Sequence, residues 1–449
     1  MAKNIIIKDP SGTEVTYNGV EKIVVPITGG QTAEFVEPAT LTTKNITQNG
    51  TYNASSDSAD GYSSVTVNVS GGGGGMTADE FISTDFTTYT GNATSIKDGA
   101  FFGNQIVESI TLNSATSVGE GAFENCTSLT SVSLSSATSL GDRTFSGCGS
   151  LQSVNISNAT DIPNECFAGC NNLNLSNIPW TNLLSIGDYA FAWNENVTTL
   201  YLPNATSVSG FNGCPNLTTI DLPSATEIGS SAFDDCASLS SISMPVVETI
   251  GDGAFAGNSN ISSVSYSTLL SVGAYAFARC ENLTTVNLPN ATSISGFNEC
   301  PFLSSVSIPS CEELIANAFS GDESLTAISL PSVTSIVGEQ MFSGTSITTI
   351  SLPSIETIEG PAFADMMSLE DITFGPSLES IMNFGFWGCD SLTTVTFQGS
   401  TPPDTYNQDI FDGTTALTTI NIPSGSLSAY TQWLNDSNMS QYTSMLTEI

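Results

Sequence analysis

The chain has 449 residues, with 7 Lys+Arg against 44 Asp+Glu, no histidine and a formal net charge of −37. Nucleic-acid binding by phosphate neutralisation and attraction to anionic lipid both need clustered Lys/Arg, so neither partner class is expected. The missing histidine removes Ser-His and Cys-His dyads, His-ligated metals and imidazole bases together. With 39% hydrophobic residues and only 11% charged, against about 25% charged in an average domain, the bulk of the chain reads as folded, with a Ser/Thr/Asn surface nearly stripped of cations.

The first 70 residues hold four of the seven cations (Lys3, Lys8, Lys22, Lys44). The apolar-polar alternation over 63–69 and the run over 21–27 predict strands; Asn18-Gly19 and Asn49-Gly50 are tight-turn dipeptides. So few large apolar side chains make a poor independent core, which oligomerisation or docking on a larger assembly would repair. The sequence Asn45-Ile46-Thr47-Gln48-Asn49-Gly50-Thr51-Tyr52, followed by Asp60-Gly61-Tyr62-Ser63-Ser64-Val65-Thr66-Val67, resembles a module of bacteriophage tail and fibre proteins. That resemblance implies attachment to other virion proteins through residues 1–70. Five glycines at 71–75 then predict a flexible linker, since such a run loses the most backbone entropy on ordering and packs nothing.

From there the chain repeats. Phenylalanine recurs at 101, 123, 145, 167, 191, 211, 233, 255, 277, 297, 319, 342, 363, 386 and 411, about every 22 residues. Segments such as Leu217-Thr218-Thr219-Ile220-Asp221-Leu222 predict a strand, which a proline ends and turns, as at Pro203, Pro223, Pro245 and Pro289. A second short segment then turns at Gly119, Gly141, Gly187, Gly229, Gly251 or Gly273 into the Ala-Phe step. One such unit buries too few side chains to offset an ordering cost of about 1–2 kcal/mol per residue, so the units must stack. Eight cysteines (Cys126, Cys148, Cys170, Cys214, Cys236, Cys280, Cys300, Cys389) fall three residues after the repeat Phe, in a slot that Asn104, Asn194 and Asn258 fill elsewhere. A single slot on every rung predicts a buried ladder of reduced thiols and amides rather than a disulfide framework. Cys166 and Cys311 lie off it, Cys166 in the place of the core Ala.

The motif Gly-x-x-Ala-Phe-x-x-Cys-x-x-Leu-x-x-Ile/Val-x-Leu-Pro over residues 92–423 resembles the BspA-like leucine-rich repeat. The resemblance implies a mainly β, right-handed, curved solenoid of about 15 rungs, roughly 70 Å long at a strand spacing of about 4.8 Å, used for recognition rather than chemistry. Residues 424–449, with Trp433 and Tyr442, are similar to the helical cap of that family. The expected organisation is 1–70 attachment or oligomerisation, 71–75 linker, 76–423 solenoid and 424–449 cap. No apolar run is long enough for a membrane span, and the first ten residues are too short in apolar character for a signal peptide.

Without histidine the one catalytic option is a pair of carboxylates, as in glycoside hydrolysis, but acids on stacked rungs meet that spacing by accident, so no enzyme and no cofactor are expected. Asp98, Glu120 and Asp142 share a slot on three consecutive rungs, a stripe that is either solvated or a weak Ca²⁺ or Mg²⁺ site. Binding is expected instead from Trp180, Tyr189, Trp193 and Tyr201, clustered at the irregular repeat around Ile178-Pro179-Trp180. Outward strand positions on the concave face join them: Thr199, Thr219, Asp221, Ser241, Ser243, Thr285 and Asn287. The Asn-x-Ser/Thr sequons follow from repeat composition and are assigned no glycosylation. The reading is a virion structural or fibre protein, made in the host cytoplasm and released by lysis, that presents its solenoid to a host-surface protein or glycan and forms a possible homo-oligomer. A bacterial surface adhesin and a surface-polysaccharide depolymerase are the alternatives.

Overall fold

The computed structural model describes residues 87–449 apart from 92, 176–177, 383–384 and 406–408, together with the backbone of six strands nearer the N-terminus. Asn4–Lys8 pairs antiparallel with Glu14–Asn18 and Lys22–Ile27 with Gln31–Val36, while Lys44–Thr47 pairs in parallel with Val65–Asn68. The runs predicted over 21–27 and 63–69 hold the strands Lys22–Ile27 and Val65–Asn68. Gly19, Asn49-Gly50 and the glycines at 71–75, with the linker assigned to them, lie outside the described residues. Val65–Asn68 in turn pairs in parallel with Thr88–Gly91, so the ladder of parallel strands starts upstream of the glycine run.

The chain forms two compact units, Met1–Val197 and Thr198–Ile449. Both are wound as a mainly β, right-handed solenoid, with about 16 turns in all. In the first unit Ser109–Thr111, Ser131–Ser133 and Ser153–Asn155 stack in register, so that Ile110, Val132 and Val154 point inward one above another. On the opposite wall the two-residue strands Ser95–Ile96, Ser117–Val118 and Ser139–Leu140 stack likewise. Between the walls runs a column of phenylalanines. Phe101, Phe123, Phe145, Phe167 and Phe191 follow each other at 5.0, 5.2, 5.2 and 5.3 Å between ring centroids, close to parallel. The sheet repeat thus sets the ring spacing, and burying each ring contributes about 1.5–3 kcal/mol.

The thiol ladder forms as the slot pattern predicts. Cys126, Cys148 and Cys170 donate from Sγ to the carbonyls of Phe101, Phe123 and Phe145, one rung back, at 3.0–3.2 Å, and Asn194 Nδ2 donates to Phe167 O at 3.1 Å. Cys or Asn suits the slot because each brings one donor to a buried carbonyl that would otherwise be unpaired. All ten cysteines are free and buried, Cys166 within the core. The repeat glycine has a different reason from the turn first read into it. A Cβ on Gly141 would lie 2.4 Å from Glu120 N of the preceding rung, so what excludes a side chain is close approach between rungs.

The second unit repeats these features, with Phe211 to Phe277 stacked at 5.2–5.7 Å and Cys236, Cys280, Cys300 and Cys389 bonded to the Phe carbonyl of the rung before. Its end is closed by the helix Leu427–Asp436, which buries Tyr430, Trp433 and Leu434. Tyr430 and Trp433 lie 5.5 and 5.6 Å from Phe397, and Tyr442 donates to Phe411 O. The cap is more than helical: Leu446–Glu448 pairs in parallel with Thr419–Ile422 and supplies a last strand. Both the apolar face and the hydrogen-bonding edge of the final rung are covered.

Candidate functional site

Alternation along each long strand sends the middle residue inward and its two neighbours outward, so a stack of strands builds two outward ranks. In the second unit Thr199, Thr219 and Ser241 align in one rank and Tyr201, Asp221 and Ser243 in the other. Thr285 and Asn287 belong to a separate three-stranded sheet, between Ser263–Ser265 and Ser305–Ser307, where Asn287 Nδ2 donates to Ser265 Oγ at 3.3 Å. These predicted strand residues therefore point outward, in two groups rather than one. Tyr201 is 55% exposed beside buried Leu200.

In the first unit the same ranks open into a polar groove of about 500 Å³ lined by Thr130, Ser131, Gln152, Ser153, Asn172 and Asn174. Thr130 Oγ1 donates to Glu108 O, Ser131 Oγ to Ser109 Oγ and Asn172 Nδ2 to Gly149 O, so the lining is held in place and carries no charge. None of the six was among the predicted site residues. The signal was available: Ser131 and Ser153 occupy the slot of Thr199 and Thr219, two to four repeats earlier.

The aromatic cluster separates. Trp180 is half-buried, with its ring 5.3 Å from Phe191 and Nε1 donating to Leu175 O at 2.9 Å, so it packs the irregular turn instead of facing solvent. Tyr189 and Trp193 are exposed and stacked on each other at 6.5 Å and 23°. They sit at the corners of the Phe191 turn, not on a strand rank, and both have left-handed φ, 57° and 58°. Tyr201 lies in the second unit. That unit has its own turn of this kind, with Tyr275 (φ 57°) and Arg279 (φ 59°) around Phe277. This second turn was also missed, although Leu183 to Ala192 recurs as Leu269 to Ala278 with eight of ten residues identical.

The acidic slot serves the backbone. Asp98 Oδ1 accepts from Glu120 N at 3.0 Å and Asp142 Oδ1 from Asn164 N at 3.1 Å, one rung on. Glu120 pairs with the Arg143 guanidinium, whose Nε also lies 3.6 Å from Glu124. Among the described residues no group of three His, Cys, Asp or Glu side chains is placed to hold a metal ion. The ladder slot holds one acid, Asp322, fully buried, whose Oδ1 accepts from Cys300 N at 2.9 Å. Burial pushes its carboxyl up to about 9, the Cys300 amide only partly offsetting it. Burial also pushes the Cys170, Cys280 and Cys389 thiols up to about 12, which keeps them protonated and unreactive.

A family model described as BspA type leucine rich repeat region matches residues 94–210, 206–321 and 312–440. Among solved structures, a leucine-rich repeat protein from Bacteroides ovatus is 20% identical, covering 80% of this chain and 95% of that one, with a TM-score of 0.47. A leucine rich cell surface protein from Faecalibacterium prausnitzii is 18% identical over 91% of this chain and 96% of that one, TM-score 0.29. The pneumococcal vaccine antigen PcpA is 17% identical over 79% and 98%, TM-score 0.35. No curated protein matches the chain.

Proposed function

The chain belongs to the BspA type leucine-rich-repeat family, and from that premise we propose that it is a non-enzymatic bacteriophage virion protein, a fibre or accessory structural component. Residues 1–70 attach it to the particle, and the solenoid displays ranks of hydroxyls and amides to a host-surface or mucosal partner. The observation that carries the binding half is the uncharged groove of Thr130, Ser131, Gln152, Ser153, Asn172 and Asn174 at the mouth of those ranks. Such a lining recognises hydroxyls and peptide groups by hydrogen bonding and needs no ion pair. The virion half is supported by the resemblance of residues 45–67 to phage tail and fibre modules. It also fits the charge distribution: residues 76–449 carry 37 acids and three cations, a surface that resists adsorption to like-charged particles and envelopes.

Mass spectrometry of purified virions against the bacterial envelope tests this reading. Recovery of the chain with the particles, and labelling of the particle by antibody to the solenoid, is the expected result. Recovery in the envelope alone replaces it with a bacterial surface adhesin. Loss of viscosity in a capsular polysaccharide solution incubated with the protein would make it a depolymerase.

A further inference from the structure

At most of the described turns around a repeat Phe, the corner residues two before and two after the ring both take left-handed φ, and Arg143, Glu165, Asp235, Tyr275 and Arg279 stand there as well as glycine. Before the Phe191 turn these pairs are Gly99 and Gly103, Gly121 and Asn125, Arg143 and Gly147, and Glu165 and Gly169. Glycine and asparagine are what such backbone favours, yet the solenoid accepts other residues at these corners throughout. At the Phe191 turn both corners are aromatic, Tyr189 and Trp193, 43% and 59% exposed and stacked on each other at 6.5 Å, a pairing that no other described turn with two left-handed corners has. Two exposed, mutually stacked rings offer an apolar face to a ligand.

The surroundings narrow the kind of ligand. The corner one rung back from Trp193 is Gly169, which carries no side chain to compete for the space around the pair. Exposed Asp188 and Glu195 flank the pair in sequence and offer acceptors. The net charge of −37 turns away polyanions. Two rings on one turn are far too little for a stable protein interface, which buries about 800 Å² per partner.

We propose that Tyr189 and Trp193 form a subsite for a neutral hexopyranose, whose apolar C–H face lies on the exposed ring faces while its hydroxyls donate to Asp188 and Glu195. Aromatic rings hold such a face at little cost in conformational freedom. The proposal rests on the recognition half of the function proposed above and names its ligand as glycan; particle location is read from a different preparation, so the two can fail separately.

The test uses the full chain on immobilised neutral glycans ending in glucose, galactose or N-acetylglucosamine, with sialylated counterparts alongside, and compares Tyr189→Ala and Trp193→Gly. Trp193→Gly restores the residue of Gly103, Gly147 and Gly169. It should abolish retention, at least tenfold, while Tm stays unchanged or rises by roughly 1–4 °C. Tyr189→Ala should weaken retention in the same direction. The proposal is overturned if no neutral glycan is retained, if sialylated glycans are held equally well, if either variant is retained as well as the parent chain, or if Trp193→Gly lowers Tm, which would make the indole a packing residue.

Discussion

The turn over residues 187–194 in the first unit and the turn over 273–280 in the second share one backbone and one interior. Ala190 and Phe191 are matched by Ala276 and Phe277, all buried, and Tyr189 by Tyr275. They part before the first corner, where Asp188 is matched by Ala274, and at the second corner and the ladder slot, where Trp193-Asn194 is matched by Arg279-Cys280. Asn194 and Cys280 do the same work, each donating to a Phe carbonyl one rung back. Trp193 and Arg279 do different work in the same φ. The solenoid thus divides its residues sharply: inward slots tolerate only what satisfies the column, whereas corners are held by backbone alone and can carry any chemistry the molecule uses.

The largest expected effect lies on the inward side. Phe145→Ala opens a cavity between rings 5.2 Å away on both sides, and should cost about 3–5 kcal/mol in urea denaturation. A loss under about 1 kcal/mol would mean that neighbouring rungs collapse into the gap and that the column is far softer than its spacing implies. Gly141→Ala comes next. With Glu120 N 2.4 Å from the new Cβ, the rungs must part locally, at about 1–3 kcal/mol, and the melting temperature should fall accordingly.

Asp322 tests the ladder slot. Unfolded, its carboxyl titrates near pH 4; folded, near 9. Below pH 4 both states hold the proton and its contribution is complete. Between about 4 and 9 the unfolded chain releases a proton that the fold retains, so stability falls as pH rises, and it levels off above 9. Asp322→Asn should remove that slope. It keeps an acceptor for Cys300 N and gives the position of Oδ2, which has no hydrogen-bond partner, a donor like that of Asn258. We expect about 1–2 kcal/mol of added stability at pH 8, read as urea midpoints at pH 5 and pH 8. An equal slope in the variant would place the titration elsewhere.

The fold was legible because stacking repeats one constraint many times. Phe every 22 residues, the Cys/Asn slot and the strand-ending prolines each follow from a rung that must match its neighbours. The sites were less so. Trp180 and Trp193 are the same letter in the same irregular repeat, and only the path of the chain sends one against Phe191 and the other into solvent. Asp98 and Asp142 looked like a charge stripe because bonding to an amide one rung away leaves no mark on composition. The groove at Ser131 and Ser153 was missed since its residues are the commonest in the chain, and openness belongs to the surface rather than to any residue type. Asp322 was readable, sitting three residues after Phe319, but its protonation depends on burial that slot position alone does not quantify.

The smallest expected change in stability is the most direct probe of the corners. Arg279→Trp rebuilds in the second turn the aromatic pair of the first, beside Tyr275, which is already 51% exposed. Both Arg and Trp are L-residues at the same left-handed φ, so the backbone strain is common to the two and cancels. Arg279 is exposed, its charge acts on the Asp234 carboxyl only across a solvated surface, and its replacement remains at the surface, so the change should stay within about 0.5 kcal/mol. What should change is binding: the variant, made on a Trp193→Gly background that has lost retention, should regain capture by the neutral glycans. If stability holds and capture does not return, the pair of rings is insufficient and the acceptor at Asp188 is part of the recognition, since the second turn has Ala274 in its place.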